Sequence, residues 1–299
     1  MSVPHNRETQ VSERPSRRDR LVMLAVVLPP ALYLIVLYIL PAVTMLTYSF
    51  WSLDQNYRLI PTWNLHQYDY FLSQPTYLTI LGRSFRLAFV NTLLSILVSY
   101  PLAYFLSRYG RGRWKNLLLV LLIAPSWTSF LIRIYSWMLI LGDNGLINFT
   151  LRALGLAGDP LPLLFNQGSV LVGLLYVYLP YTLLPIYASL EKINPSLLEA
   201  ARALGAHPFR AFLRVTLPLS KPGILAGAMI TFIPTLGEYV APALLGGRTG
   251  YMYGNLIAEQ FSIFDWPLGA TMAAILLACV LVLMFVFSRL VRLDEVWSS

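Results

Sequence analysis

Acidic residues and cysteine are both scarce in this chain. Asp and Glu number 14 against 22 Lys and Arg in 299 residues, and charged residues of both signs make up 12% of the total. Soluble domains usually carry about 25%. A chain this poor in charge cannot clothe a globular surface in water-seeking groups, so it falls in the membrane class. Cys279 is the only cysteine and lies in an apolar run, which excludes an internal disulfide and a cysteine-built metal cluster. No G-x-x-x-x-G-K-[ST] phosphate loop, H-E-x-x-H pair, Cys/His metal spacing or Ser-His-Asp arrangement occurs. His5, His66 and His207 are scattered through tail and loops. The chain is therefore read as no enzyme and as binding no cofactor of its own. Energy for any vectorial work has to come from a partner.

What the sequence has in abundance is apolar length: 57% of residues are hydrophobic. About 20 apolar residues cross a hydrocarbon core as a helix. Six stretches meet that requirement, at 21–48, 85–107, 116–141, 168–190, 223–245 and 267–290. The run from Leu21 is too long for a signal-peptide core and has no convincing cleavage site, so it reads as an uncleaved membrane helix. Pro29, Pro30, Pro41, Pro125, Pro180, Pro185 and Pro234 fall inside the spans. They predict kinks without vetoing helices, because neighbouring helices can satisfy the freed backbone groups.

The net charge of +8 is distributed as membrane topology, not as a phosphate-binding groove, so no nucleic-acid partner is expected. Arg7, Arg14, Arg17, Arg18 and Arg20 precede the first span. Arg108, Arg111, Arg113 and Lys115 follow the second, and Lys192, Arg202, Arg210, Arg214 and Lys221 lie between the fourth and fifth. Arg289 and Arg292 end the chain. These are 16 of the 22 basic residues, all on one side of a six-span layout. Arg58, Arg83, Arg86, Arg152 and Arg248 fall on the other. The positive-inside rule then places both termini in the cytoplasm. The layout is a cytoplasmic tail over 1–20, a transmembrane domain over 21–290 and a cytoplasmic tail over 291–299. Outside, residues 51–84 are rich in aromatics (Trp51, Tyr57, Trp63, Tyr68, Tyr70), which suit either interfacial anchoring or docking of an extracytoplasmic partner. Gly142-Asp143-Asn144-Gly145 signals a turn, with a short surface helix after it over 146–156.

The 191–222 connection is the only cytoplasmic loop long enough to build structure. Asn194 suits an N-cap, Pro195 the first helical position and Gly205 a left-handed C-terminal cap. Leu197, Leu198, Ala201 and Leu204 recur at helical spacing, and Pro208 opens a second short helix carrying Phe209, Phe212 and Leu213. The segment could lie apolar side down on the membrane. Alternatively the small Ala200 and Ala201 allow close approach of another surface, with Glu199, Arg202 and Arg210 supplying charges across it.

The residues of this loop carry a resemblance. Glu199-Ala200-Ala201, three residues, Gly205, nine residues, Val215, one residue and Leu217-Pro218 resembles the signature loop of permease subunits of ATP-binding-cassette importers. Val215 stands where isoleucine is usual. The resemblance implies an all-α polytopic membrane protein with the MetI-like, type I importer permease fold, in the bacterial inner membrane. It also implies that Glu199, Ala200, Ala201, Arg202, Gly205, Leu217 and Pro218 couple the chain to a cytoplasmic ATPase. The implied partners are two such ATPase subunits holding ATP and Mg, a second homologous permease making a heterodimer, and an extracytoplasmic solute-binding protein. Three further segments, Pro125 to Arg133, Gly142 to Asn148 and Phe232 to Val240, are similar to polyamine-type permeases, most of all the first permease of spermidine/putrescine importers. Related permeases for ferric ion, sulfate, phosphonate or amino-acid derivatives share parts of these motifs. A secondary transporter would show internal repeats and midplane ionisable relays, and no convincing repeat joins the two halves.

Arg133 and Glu238 are the charged residues well inside expected spans. A charge at mid-membrane costs about 2.5–3.5 kcal/mol on insertion scales, so it turns toward a cavity or a partner. The two can pair and tie span three to span five, or Glu238 can line a cation pathway with Arg133 tuning it. Trp127, Tyr135, Trp137 and Tyr239 neighbour them in sequence and could attract ammonium groups through their ring faces, or simply pack.

Overall fold

The structure, a computed structural model, describes residues 17–56, 58–110 and 112–296, with side chains described from 25 to 289. The basic residues expected at 1–16, Arg111 and the last residues of the C-terminal tail lie outside the described residues, as does Tyr57. Six helical stretches are long and apolar enough to cross a membrane: Ala25–Tyr48, Pro75–Tyr109, Phe130–Ala153, Gln167–Glu191, Pro208–Leu236 and Trp266–Arg289. A two-stranded hairpin, β1 (Ser52–Leu53) against β2 (Leu59–Ile60), is the only sheet among the described residues.

The first crossing is α1 (Arg17–Leu34), a π turn at Ile35–Ile39 and α2 (Leu40–Tyr48). The π turn has a local cause. A proline ring collides with the carbonyl four residues earlier, and Pro41 stands two residues beyond the turn. The Leu40 N–H accordingly reaches back five residues, to the Ile35 carbonyl. The same device recurs at Pro218, where the Leu217 N–H bonds the Phe212 carbonyl. Except near its end, the Ala25–Tyr48 part of the first crossing buries nothing within this chain.

After α3 (His66–Ser73), α4 (Pro75–Tyr109) begins ten residues before the expected 85. Arg83 and Arg86 interrupt the apolar run there but not the helix, which starts with Pro75 at its first position. Its 35 residues extend about 52 Å, so it projects beyond the hydrocarbon.

The third crossing departs most from the expected 116–141. It is divided into α5 (Gly112–Ile123), a 3-10 turn at Ala124–Trp127 and α6 (Phe130–Leu141). Pro125 opens the 3-10 turn, and its carbonyl accepts from both the Thr128 N–H (3.2 Å) and Thr128 Oγ1 (2.7 Å). Those bonds halt the helical ladder, and Thr128 and Ser129 are extended. Beyond the Gly142–Gly145 turn the apolar stretch continues into α7 (Leu146–Ala153), the expected surface helix.

The centre of the bundle is α4, α8 (Gln167–Glu191) and α11 (Leu217–Leu236), which pack mutually. Lipid tails are as apolar as leucine, so close packing and interhelical hydrogen bonds must hold such helices together. Gly223 and Gly227, four residues apart, let α11 approach α8. A Cβ on Gly223 would lie 2.5 Å from the Pro185 carbonyl oxygen, and one on Gly227 would lie 2.9 Å from that of Thr182. Hydroxyl bonds follow the seam: Thr182 Oγ1 to Thr231 Oγ1 (2.5 Å), Tyr100 Oη to Ser220 Oγ (2.9 Å) and Asn91 Nδ2 donating to Thr235 Oγ1 (3.1 Å).

The segment between α8 and α11 holds α9 (Pro195–Ala203) and α10 (Pro208–Ala211). The expected 191–222 loop is shorter than anticipated, because α10 runs through the π turn at Phe212–Thr216 directly into α11. The fifth crossing also ends early, at Leu236 instead of 245, and the chain restarts as α12 (Val240–Leu245). α13 (Tyr253–Ser262) and α14 (Trp266–Val296) complete the fold. One apolar cluster gathers Tyr100, Leu106, Ile186 and Leu190 toward the α9 end, with Leu119 and Leu122 of α5 packed on it. A second gathers Leu87, Ile134, Leu174 and Leu245 at the opposite end, with Phe130 and Met138 of α6 packed on it. α5 and α6 together thus traverse the bundle, about 36 Å for their two sets of twelve residues.

Candidate functional site

Two places stand out by their residues: the α9–α10 element and the break between α11 and α12.

In the first, Asn194 caps α9, its side chain accepting from the Ser196 N–H at 3.0 Å, and Pro195 takes the first helical position. The far end closes in a Schellman arrangement. The Ala206 N–H bonds the Ala201 carbonyl at 3.0 Å and the Gly205 N–H bonds that of Arg202 at 2.9 Å. Gly205 has φ +81° and nothing within 4 Å of a Cβ built on it. Backbone conformation, not crowding, demands glycine here. Glu199, Ala200 and Arg202 are exposed and Ala201 is half-buried. Leu204 is 89% exposed and Phe209 66%. This chain therefore leaves the apolar residues of the element uncovered. Leu204 and Gly205 rim a concavity of about 280 Å³ with Arg210, Arg214 and Val215 on its other wall. Leu217 packs into the α9-end apolar cluster, while Pro218 sets the π turn. Phe212 stands edge-on to Tyr100 and Tyr104 of α4, so the element is in direct contact with a central helix.

The second place is built around Glu238. α11 ends at Leu236 with Gly237 as its C-cap, and Glu238 follows in the break, half-buried. Glu238 Oε1 accepts from the backbone N–H groups of Tyr239 (3.1 Å), Val240 (3.0 Å) and Ala241 (3.4 Å). These are orphan donors at the start of α12, which a carboxylate satisfies well. Oε2 receives only the Tyr178 hydroxyl, at 3.4 Å, beyond the ordinary range for such a bond of about 2.5–3.0 Å. One oxygen is anchored and the other is close to free. The break is braced from α13: Asn255 Nδ2 donates to the Tyr239 carbonyl at 2.7 Å, and a Cβ on Gly254 would lie 2.6 Å from the carbonyl oxygens of both Gly237 and Glu238.

Sequence neighbours of these charges do not all gather at the break. Arg133 on α6 is 7% exposed, and its Nε and Nη1 are buried without a hydrogen-bond partner. No ion pair joins it to Glu238, although Lys115 pairs with Glu191 elsewhere in the chain. Trp127 is 78% exposed, in the 3-10 turn. Tyr135 and Tyr239 are exposed, and Trp137 stands edge-on to Tyr176 at 5.7 Å. The ring that reaches Glu238 is Tyr178, which sequence reasoning missed along with Gly254 and Asn255. Tyr178 precedes Pro180 in an apolar helix and Gly254-Asn255 lies in a connecting segment, so neither carries a local signal.

Comparison with known proteins agrees with this architecture. Residues 95–295 match the family described as the binding-protein-dependent transport system inner membrane component. The chain is 36% identical over 262 residues to the spermidine/putrescine transport system permease protein PotB of Escherichia coli (strain K12), covering 87% of this chain and 94% of that one. It is 35% identical over 259 residues to PotB of Haemophilus influenzae, covering 86% and 90%. Among solved structures, a chain of a bacterial ABC transporter involved in the import of the acidic polysaccharide alginate superposes with TM-score 0.73 at 16% identity, covering 92% of this chain and 96% of that one. A chain of the inward-facing MetNI methionine ABC transporter superposes with TM-score 0.53 at 21% identity, covering 74% and 99%. The chain is a multi-pass inner-membrane transport permease and belongs to the family of binding-protein-dependent transport system inner membrane components.

Proposed function

We propose that this permease imports polyamines, spermidine and putrescine, delivered by an extracytoplasmic solute-binding protein and driven by ATP hydrolysis in separate subunits. The observation that carries the substrate reading is the Glu238 carboxylate. It is fixed through Oε1 and held at Oε2 only by the long Tyr178 contact, in a break between two helices of a chain related to spermidine/putrescine permeases. A half-buried carboxylate with one weakly held oxygen suits a passing ammonium group.

In this reading both termini are cytoplasmic, and the α9 end faces two ATPase subunits that hold ATP and Mg. A second, homologous permease completes the pore. The uncovered α9, with Glu199, Ala200, Ala201, Arg202 and the Gly205 cap, docks on an ATPase. ATP-driven closure moves it, and the continuous helix from Pro208 through Leu217 and Pro218 to Leu236 carries the movement to Glu238. Arg133 tunes the field at the break, with Tyr239 and Trp137 on its approaches and Trp127 and Tyr135 on outward faces.

The test is ATP-dependent uptake of labelled spermidine by vesicles containing the chain with its co-purified partners. Unlabelled putrescine, sulfate and ferric ion serve as competitors, and a Gly205 variant as control. Uptake that needs ATP, fails in the variant and yields only to polyamines supports both class and substrate. ATP turnover stimulated by another solute, without spermidine uptake, overturns the polyamine reading.

A further inference from the structure

At the end of the bundle opposite α9, residues 246–250 form a tight loop. The Gly250 N–H donates to the Gly246 carbonyl at 2.8 Å, Gly247 has φ +51°, and a Cβ on Gly247 would lie 2.8 Å from the Phe165 carbonyl oxygen. The loop is also clamped from the side. Gln167 Nε2 donates to the Thr249 carbonyl at 2.9 Å, and Gln167 Oε1 accepts from Arg86 Nη2 at 2.8 Å. Arg248 is exposed on this fixed loop. Beside it opens a cavity of about 460 Å³ walled by Arg248, Arg83, Thr76, Thr79 and Tyr251. Arg83 Nη1 reaches the Tyr251 carbonyl only at 3.4 Å.

The charge here is unbalanced. Two of the five basic residues assigned to the translocated side, Arg83 and Arg248, wall this cavity, and a third, Arg86, holds the Gln167 that clamps its loop, although basic residues are disfavoured on that side. None of them has an ion-pair partner among the described residues. The one carboxylate that hydrogen bonds tie to the rim, Glu259, accepts from the Tyr251 hydroxyl. Two arginines flanking a cavity, with threonine hydroxyls on its wall, suit a carboxylate, which guanidinium groups bind through charge-assisted, often paired hydrogen bonds. Because the loop is already fixed, little conformational entropy is lost on docking.

We propose that this cavity is the socket for an acidic side chain of the solute-binding protein, with Arg248 and Arg83 gripping its carboxylate. This rests on the reading above that the end opposite α9 is extracytoplasmic and meets such a protein.

The test reconstitutes the whole transporter in nanodiscs and titrates in spermidine-loaded binding protein, following ATP hydrolysis. Arg248→Glu is expected to raise the half-saturating binding-protein concentration about tenfold or more at low salt, with the maximal rate unchanged. The gap narrows at high salt, and Arg248→Lys, which keeps the charge but not the paired donors, falls between wild type and Arg248→Glu. A binding-protein variant with its contacting carboxylate changed to lysine restores Arg248→Glu. Equal half-saturation for wild type and Arg248→Glu at low salt overturns the proposal. So does an effect that vanishes when anionic lipid is omitted, which assigns the cavity to a lipid phosphate. A wild-type complex that no binding protein stimulates overturns the functional reading itself, and this inference with it.

Discussion

Gly254 of α13 lies directly against Glu238: a Cβ at Gly254 would stand 2.6 Å from the Glu238 carbonyl oxygen. The helix break that presents the Glu238 carboxylate is therefore shaped by a residue that carries no side chain. Gly254→Ala has to displace the break by several tenths of an ångström. It is expected to reduce polyamine uptake severalfold while the complex still assembles, as followed by size-exclusion chromatography and transport in proteoliposomes. Full uptake in Gly254→Ala would show that the break yields without consequence.

Glu238→Gln keeps an acceptor for the Tyr239, Val240 and Ala241 N–H groups but removes the charge. Transport of spermidine is expected to fall roughly tenfold, equivalent to about 1.4 kcal/mol, with thermal stability almost unchanged. Glu238→Ala removes the acceptor as well and should lower stability by about 1 kcal/mol, as loss of a helix cap does. Uptake kinetics and a thermal midpoint measured on both variants separate the electrostatic role from the structural one.

Gly205→Ala forces a side chain into a left-handed conformation at a cost of about 1–2 kcal/mol, although there is room for the methyl group. Asparagine tolerates that conformation. The expected order of ATP-coupled transport is glycine, then Gly205→Asn, then Gly205→Ala. Equal activity in all three would remove the Schellman cap from coupling.

Gly227→Val drives two methyl groups against the Thr182 carbonyl and Cγ2, where even a Cβ would lie at 2.9 and 3.3 Å. Overpacking of this kind costs about 1–3 kcal/mol. Reduced yield of folded protein and a lowered thermal midpoint are expected, with no selective effect on substrate preference.

Asp265 gives a pH prediction outside the spans. Burial raises its carboxyl above the ordinary 3.8, opposed by the hydrogen bond from the Leu268 N–H. A raised folded value means that this group's stabilising contribution is complete below 3.8 and is lost as pH climbs through the higher folded value. Asp265→Asn retains the acceptor without the charge. The wild type is expected to lose stability relative to Asp265→Asn as pH rises from below 3.8 through the raised folded value, read from thermal midpoints in detergent.

Much was legible in the sequence because it depends on local chemistry. Apolar length marked the crossings, since a hydrocarbon core admits only helices that satisfy their own backbone. Asn194, Pro195 and Gly205 marked the bounds of α9, since each has a backbone preference that acts within one turn. Arg133 and Glu238 declared themselves because charge inside an apolar run is costly wherever the chain goes. What only the tertiary structure decided was how these pieces meet. Hydropathy does not register a helix that breaks inside an apolar run, so the divisions at Thr128–Ser129 and Gly237–Glu238 were invisible, as was the continuity of α10 with α11. Tyr178 reaches Glu238 across 60 residues of chain, and Arg83 meets Arg248 at one cavity across a still longer interval. Such encounters follow from the packing of α4, α8 and α11 through Gly223, Gly227 and their hydroxyl partners, a three-body fit that no segment encodes alone.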